Sequence, residues 1–328
     1  MPSTVTHAYF ALDIYDKLDN ESKKRLNYDT EYLKIFSQGP DPFHFYNLAL
    51  PIKGKNVRKN YVRKLHDTNT KKFFITLISE IKNQNLKNDS QIISFLYGFI
   101  AHYVLDSTIH PYIIYKTGIY EKNNVNTKKY RSLHNDMELY LDGYLIFQRE
   151  RTQIKNFKMY NFCFNINSLN LKTKNLLDKV IKEVYDLDDF SKLYFKSIKQ
   201  MKAINRLFRY DRTGIKKKVY IALDKILPKK QLKKEQLSYY INYKKKLHYL
   251  NIEKNEWNHP FDKYETYNYS FIELYHIALN KAVNIINSVN EVLYNKKDIK
   301  SLDTVFKNLS YKTGKDCNDS RKLKYFEY

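Results

Sequence analysis

The segment from Gly98 to Glu138 carries two pairs of ligand-type side chains, and the members of each pair are four positions apart. His102 and Asp106 form the first pair, and His134 and Glu138 form the second. Because four residues of an α-helix turn through about 400°, both members of a pair project from one helix face. The apolar residues around the first pair predict that its helix is deeply buried. This segment therefore constrains the fold to helices that turn polar side chains inward.

Buried imidazoles and carboxylates are costly unless they bond to one another or bind a metal ion. A buried His–Asp or His–Glu hydrogen bond would satisfy either pair alone. Two pairs, with His110 close to the first, favour the ligands of a multinuclear metal site. Six of the nine histidines also precede residue 135, as do the acidic candidates Asp41 and Asp106. Histidine with carboxylate suits zinc, and the lack of cysteine ligands favours a catalytic ion over a structural one.

Composition favours an all-α fold. Glycine and proline occur only seven times each, which argues against turn-rich β architectures. The two cysteines, Cys163 and Cys317, form neither a disulfide framework nor a CxxC motif. No Gly/Ser/Pro-rich linker marks a boundary. We therefore expect one all-α, multi-helix domain over residues 1–328, with ligand-bearing helices in 1–150 and a basic helical region in 151–328.

Hydrophobic periodicity and capping residues place the predicted helices. The first begins at Ser3 or Thr4, and Asp89-Ser90 caps the central helix. Pro111 disfavours helical geometry at His110, so we expect the central helix to end or bend there and His110 to be free to leave its face. Further helices are predicted at about 29–36, 173–186, 191–210, 214–226, 230–249, 269–295 and 301–309.

The formal charge of +23 implies attraction to a polyanion or an anionic surface. Lysine is densest in residues 216–254, where the runs are either solvated helix faces or a polyanion-facing surface. The N-terminus lacks the charged start and apolar core of a secretion signal, and no stretch approaches the ~20 apolar residues of a membrane-spanning helix. We expect a cytoplasmic protein that is able to make peripheral contact with an anionic membrane surface.

Five motifs occur in a distinctive order. They are THAYFA at residues 6–11, GPDPFHFYN at 39–47, LHD at 65–67, AHYVLDSTIHPY at 101–112 and LHNDMELYLD at 133–142. This order resembles the zinc-dependent phospholipase C family, which includes bacterial phosphatidylcholine-preferring phospholipases and the catalytic domain of clostridial alpha-toxin. The resemblance covers the first 145 residues, is weaker near the end of the chain, and is largely uninformative over 146–268.

The resemblance implies a helical fold that holds three zinc ions. One ion would be held by Asp41, His66, His102 and Asp106. A second would be held by His110, His134 and Glu138. The third would take His7, a bridging oxygen of Asp106, and the N-terminal amine and carbonyl. Removal of Met1 would leave the secondary amine of Pro2 in that position.

The resemblance also implies phosphodiester hydrolysis. Neighbouring zinc ions lower the pKa of a shared water, and the resulting hydroxide would attack phosphorus. A phospholipid substrate would give diacylglycerol and a phosphorylated head group. Either Asp41 or a metal-bound water would assist proton transfer, which makes Asp41 the candidate catalytic residue.

Three functions other than a phospholipase would also account for parts of the sequence. A zinc-dependent single-strand nuclease would use a similar trinuclear site, with the positive charge for counterion release and tyrosines for base stacking. An HD-type phosphohydrolase is suggested by the His66-Asp67 doublet but leaves the second ligand pair unexplained. A non-catalytic basic protein that binds nucleic acid or membrane would carry its histidines as structural residues and bind little zinc.

Overall fold

The structure is a computed structural model that describes residues 4–48, 51–121, 124–165, 168–226, 234–241 and 243–327. It is 68% helical, which confirms the all-α prediction. Within these ranges there are thirteen α-helices: α1 (Thr4–Lys17), α2 (Asn20–Arg25), α3 (Glu31–Phe36), α4 (Pro51–Asp67), α5 (Thr70–Asn83), α6 (Ser90–Thr117), α7 (Lys128–Glu150), α8 (Met159–Phe162), α9 (Leu171–Tyr185), α10 (Phe190–Ile204), α11 (Ile215–Ile226), α12 (Phe271–Leu293) and α13 (Leu302–Val305).

One small antiparallel sheet departs from the all-helical expectation. It pairs β1 (Trp257–His259) with β2 (Asp262–Tyr267). The Trp257 ring lies 5.1 Å from the ring of Tyr112, near the C-terminal end of α6. The hairpin therefore covers one end of the central helix and adds little to the architecture.

Helix α6 is the centre of the fold, and α1, α3, α7 and α12 pack around it. Asp89 caps the N-terminus of α6, because its Oδ1 accepts hydrogen bonds of 3.1 Å from the backbone N–H groups of Gln91 and Ile92. Among the described residues, α6 is the one helix long and apolar enough to cross a membrane. Since 94% of its apolar window is buried inside the protein, it serves here as the core helix.

The prediction that the central helix ends at His110 is wrong, because α6 runs on past Pro111 to Thr117, whereas the alternative of a bend at His110 stays a prediction. Proline has no backbone N–H, so the carbonyl of Ser107 loses its helical partner. Gly314 of the C-terminal segment packs so closely here that a Cβ on it would lie 2.2 Å from the Ser107 oxygen. Tertiary packing around α6 overrides the local preference, and His110 stays on the face of the first ligand pair.

The other helix predictions are met unevenly. Helices α9, α10, α11 and α12 lie close to their predicted positions. The helix predicted over 230–249 is wrong where the structure describes it, because Lys234–Leu237 and Tyr243–Leu250 are 3-10 segments. Residues 230–233 and 242 of that prediction lie outside the described residues. The helix predicted over 301–309 is reduced to α13, since the chain turns extended at Phe306.

Gly98 allows α6 to approach α3 closely. A Cβ at this position would lie 2.7 Å from the carbonyl carbon of Phe36 and 2.8 Å from the backbone nitrogen of Ser37. Backbone atoms cannot rotate away as the end of a flexible side chain can. The carbonyl of Ser37, directly after α3, accepts a bond of 3.0 Å from Nδ1 of His102, so the close approach also positions this candidate ligand.

We therefore predict that Gly98→Ala destabilises the protein. Overpacking should cost about 1–3 kcal/mol and should outweigh the ~1 kcal/mol that alanine gains in helix propensity. Urea titration measures the free energy of unfolding. The control is Asn284→Ala on the exposed face of α12, which should stay within about 0.5 kcal/mol of the parent. Equal unfolding midpoints for Gly98→Ala and the parent would contradict the close packing.

Candidate metal centre

Five segments bring the eight predicted ligands together around α6. They are α1 with His7, the turn after α3 with Asp41, α4 with His66, α6 with His102, Asp106 and His110, and α7 with His134 and Glu138. Ligand-type atoms from these residues form three groups, and within each group the atoms lie within 4.8 Å of one another. Their role as metal ligands stays a prediction, and Met1 and Pro2, predicted to add the terminal amine, lie outside the described residues.

The first group consists of His7, His102 and Asp106 and is the most deeply buried. His7 Nε2 lies 3.2 Å from Asp106 Oδ1, and His102 Nε2 lies 3.3 Å from Asp106 Oδ2. The two imidazole rings stack with their centroids 4.3 Å apart. Each oxygen of one carboxylate therefore meets a different imidazole, which is the arrangement that a bridging carboxylate requires.

The second group consists of Asp41, His66 and again His102. His66 Nε2 lies 3.2 Å from Asp41 Oδ1. Pro40 and Pro42 flank Asp41 in a 3-10 turn over Asp41–Phe45 and fix its carboxylate on the inside of the chain. A single His102 nitrogen faces both the first and the second group, so it can serve only one ion.

The third group consists of His110, His134 and Glu138. Glu138 Oε1 lies 2.8 Å from His134 Nε2, one turn earlier on α7, and 3.7 Å from His110 Nε2. His110 Nδ1 is also 3.6 Å from Asp106 Oδ2, so the third group adjoins the first. The three groups form one continuous cluster.

Backbone carbonyls set the tautomers of three ligand candidates. The Nδ1 atoms of His66, His102 and His110 bond to the carbonyl oxygens of Val62, Ser37 and Tyr311 at 2.7, 3.0 and 3.0 Å. A carbonyl only accepts hydrogen bonds, so Nδ1 carries a proton, and in the neutral imidazole the lone pair lies on Nε2. Such carbonyl partners orient metal-binding histidines.

Sequence reasoning missed these supporting residues. Ser37 and Val62 precede recognised ligands, but nothing in their identity marks a carbonyl contact. Tyr311 lies about two hundred positions from His110, and its N–H also donates to the carbonyl of His66. Gly39 did carry a signal, since it opens the GPDP motif: its φ is +51°, and a Cβ there would lie 2.3 Å from Cγ of His102.

The charges of the cluster suit a cation. Burial alone would raise the pKa of Asp41, Asp106 and Glu138, but the positive charge of neighbouring groups, and for Asp41 the hydrogen bond with His66, outweigh it and hold these pKa values below the usual range. Burial lowers the pKa of His7 and His134. At neutral pH the carboxylates are therefore ionised and these two imidazoles are neutral, which are the forms that bind metal.

Several buried atoms of the cluster have no hydrogen-bond partner. They are both ring nitrogens of His7, Nε2 of His102 and His110, and both carboxylate oxygens of Asp106. A buried polar atom without a partner costs about 1–3 kcal/mol, so six together are unusual in a stable fold. An ion among these nitrogens and oxygens would satisfy them, and the donor set of imidazole and carboxylate fits zinc.

A cavity of about 500 Å³ opens onto part of the cluster. Asp41, His66, His110, His134 and Glu138 line it, whereas the residues of the first group do not. Asp67 also lines it, but its Oδ1 accepts a 2.6 Å bond from Ser310 Oγ and it belongs to none of the three groups in the described chain. Of the His66-Asp67 doublet, only His66 belongs to one of these groups in the described chain.

Comparison with protein families gives one result. The family model described as zinc-dependent phospholipase C matches residues 6–187, more than half of the 328-residue chain. All eight candidate ligands lie inside the matched range. Comparisons with curated proteins and with solved structures gave no match.

We predict that the purified protein carries roughly two to three zinc ions and that His134→Ala removes the ion of the third group. The reason is that this group has only three side-chain donors. Elemental analysis after dialysis against zinc measures the content, and His276→Ala, exposed on α12, is the control. Fewer than one zinc per chain in the parent protein would contradict the assignment.

Proposed function

Because the chain belongs to the zinc-dependent phospholipase C family, we propose that it is a zinc-dependent phosphodiester hydrolase that cleaves a phospholipid. The observation that carries the proposal is the cavity, which places an apolar surface and three cationic side chains beside the exposed ligand groups. A phospholipid has the matching parts: a phosphodiester, and a glycerol backbone with acyl chains.

The cavity lining supports a lipid over a nucleic acid. Its apolar residues are mostly aliphatic: Phe45, Leu48, Val62, Ile114, Ile119, Ile204 and Leu237. Tyr120 and Tyr130 are the rings suited to stack a base. However, Arg131 lies 5.9 Å from the Tyr120 ring centroid, and Lys129 lies 5.2 Å from that of Tyr130. An aliphatic wall fits acyl chains better than it fits bases.

The residues of this chain divide the chemistry among them. When bound, zinc would supply an activated water and neutralise charge on the phosphoryl oxygens. Asp41 is ionised and lines the cavity, so it is placed to accept a proton from the attacking water. Arg131, Arg209 and Lys312 line the same cavity and would bind the phosphate oxygens. Cleavage of the bond between phosphorus and the glycerol oxygen would release diacylglycerol and a phosphorylated head group.

The substrate test uses the zinc-loaded protein with phospholipid in mixed micelles and with single-stranded DNA. We predict release of a phosphorylated head group, its loss on addition of a chelator, and intact DNA at the same protein concentration. Phosphate analysis and gel electrophoresis are the two measurements. Cleaved DNA with intact lipid would assign the site to a nuclease, and no turnover of either substrate would contradict the hydrolase.

The next prediction concerns Asp106, whose two carboxylate oxygens face different imidazoles. Asp106→Asn keeps the shape but removes the charge, so zinc content should fall at more than one group and turnover should fall by more than about 100-fold. Glu138→Gln should lower zinc content only at the third group. Circular dichroism checks folding, because asparagine costs well under ~1 kcal/mol in a helix relative to aspartate. Near-normal zinc and turnover in folded Asp106→Asn would exclude a bridging role.

Two further parts of the proposal concern organisation and location. We propose that residues 1–328 form a single domain and that the protein acts from the cytoplasm on a membrane surface. Limited proteolysis tests the first, because a second domain would leave a stable fragment. Cell fractionation tests the second.

A further inference from the structure

Helix α11 presents an apolar stripe to solvent. Ile215, Val219, Ala222 and Ile226 follow one another at intervals of four, three and four residues, which places them on one helix face. The three larger side chains are 62%, 51% and 79% exposed. A surface helix normally turns such a stripe towards the core. Helix α11 has no buried residue at all.

The preceding turn adds two exposed apolar residues beside α11, since Tyr220 of the helix donates its hydroxyl to the carbonyl of Phe208 at 3.0 Å. Leu207 and Phe208, in the π-helical segment Asn205–Arg209, are 60% and 51% exposed. We call Leu207, Phe208, Ile215, Val219 and Ile226 the α11 patch. Five large apolar side chains exposed within twenty residues mark a surface that binds another apolar phase.

Polar contacts hold α11 with its stripe outward. Asp211, only 3% exposed, accepts bonds from the N–H groups of Gly214 and Lys217 and from the hydroxyl of Ser238. Lys217, which lies about 200° around the helix from Ile215, donates its Nζ to the carbonyl of Tyr240 at 2.9 Å. The helix is therefore fixed from its opposite side, and burying the stripe is not needed to position it.

Cations surround the α11 patch. Arg206, Arg212, Lys218 and Lys225 are exposed beside it. The nearby acid Asp224 is half-buried and is paired with Lys234, 3.2 Å away. With the formal charge of +23 for the whole chain, this surface is complementary to an anionic one.

The α11 patch borders the cavity of the metal centre. Ile204 and Arg209 line the cavity and lie on either side of Leu207 and Phe208 in the chain. Segment Lys234–Leu237 packs against α11 and contributes Leu237 to the same cavity. A surface that received the patch would therefore also lie next to the cavity.

We propose that the α11 patch docks on the surface of an anionic lipid bilayer. Its apolar residues would enter the head-group region while the surrounding lysines and arginines contact anionic lipids. The inference rests on the proposed function for its lipid substrate and adds the surface by which the protein reaches it. Docking and hydrolysis are separate properties, so each can fail without the other.

The test measures co-sedimentation of the full zinc-loaded chain with phosphatidylcholine vesicles, with and without phosphatidylglycerol as one lipid in three. Ile215→Ser/Val219→Ser should weaken binding to the anionic vesicles roughly ten-fold or more, because binding scales with buried apolar area. Lys218→Gln/Lys225→Gln should also weaken it and reduce its salt dependence. The matched control is Leu171→Ser/Ile252→Ser, two apolar residues outside the patch that are 70% and 61% exposed.

A soluble short-chain phosphodiester serves as the second readout. All variants should hydrolyse it as the parent does, since none of the substituted residues lines the cavity. Unchanged vesicle binding by the Ile215/Val219 variant, or no binding by the parent, would overturn the proposal. If the parent is a dimer and the Ile215/Val219 variant is a monomer, the patch binds a second copy of the chain. If the parent binds single-stranded DNA and the variant does not, the patch binds nucleic acid. Vesicle binding without soluble turnover would retain the docking surface and reject the proposed function.

Discussion

One buried carboxylate, Asp106, fixes the geometry of the interior. It is 2% exposed, and imidazoles from His7, His102 and His110 lie 3.2 to 3.6 Å from its oxygens. Burying a charge costs several kcal/mol unless compensating charge is placed around it. That requirement brings α1 against α6 and keeps three successive turns of α6 on one face. Three further features hold the imidazoles in place. They are Gly39 in the GPDP turn, the close crossing of α3 and α6 at Gly98, and the carbonyl of Tyr311.

The sequence was sufficient to predict that His102 and Asp106 share one buried helix face, because helix geometry is local. Pairs at four-residue spacing, set in an apolar helix, predicted the burial of His102 and Asp106. What it could not supply were contacts between distant segments. The residues around Tyr311 do not indicate that its carbonyl accepts a hydrogen bond from His110. The residues around Pro111 do not indicate that Gly314 packs against the Ser107 carbonyl, which the proline leaves without its helical partner. The prediction that the helix could end at His110 was wrong for this reason, since a local preference was weighed without its tertiary surroundings.

The basic half of the chain shows a second limit of the same kind. Lysine runs predicted exposed helix faces, and the sequence left a solvated face and a polyanion-facing surface as alternatives. Only the structure shows that the apolar residues of α11 lie on the exposed side as well, because periodicity gives the existence of a stripe and not the direction in which it points. Buried Asp211 sets that direction through bonds to the first turn of the helix and to Ser238.

Access to the cavity separates the ligand groups by what they can do. His7 and His102 have no exposed surface and do not line the cavity, whereas the side chain of His134 is 23% exposed and lines it. His7 and His102 would therefore hold any ion away from a substrate, and that ion would supply positive charge beside Asp106. His110, His134 and Glu138 would hold an ion beside the cavity, where it would supply Lewis acidity towards a phosphodiester. Asp106 lies between these two sets, since its Oδ1 is 3.2 Å from His7 and its Oδ2 is 3.6 Å from His110, so one carboxylate joins the buried part of the cluster to the part that lines the cavity.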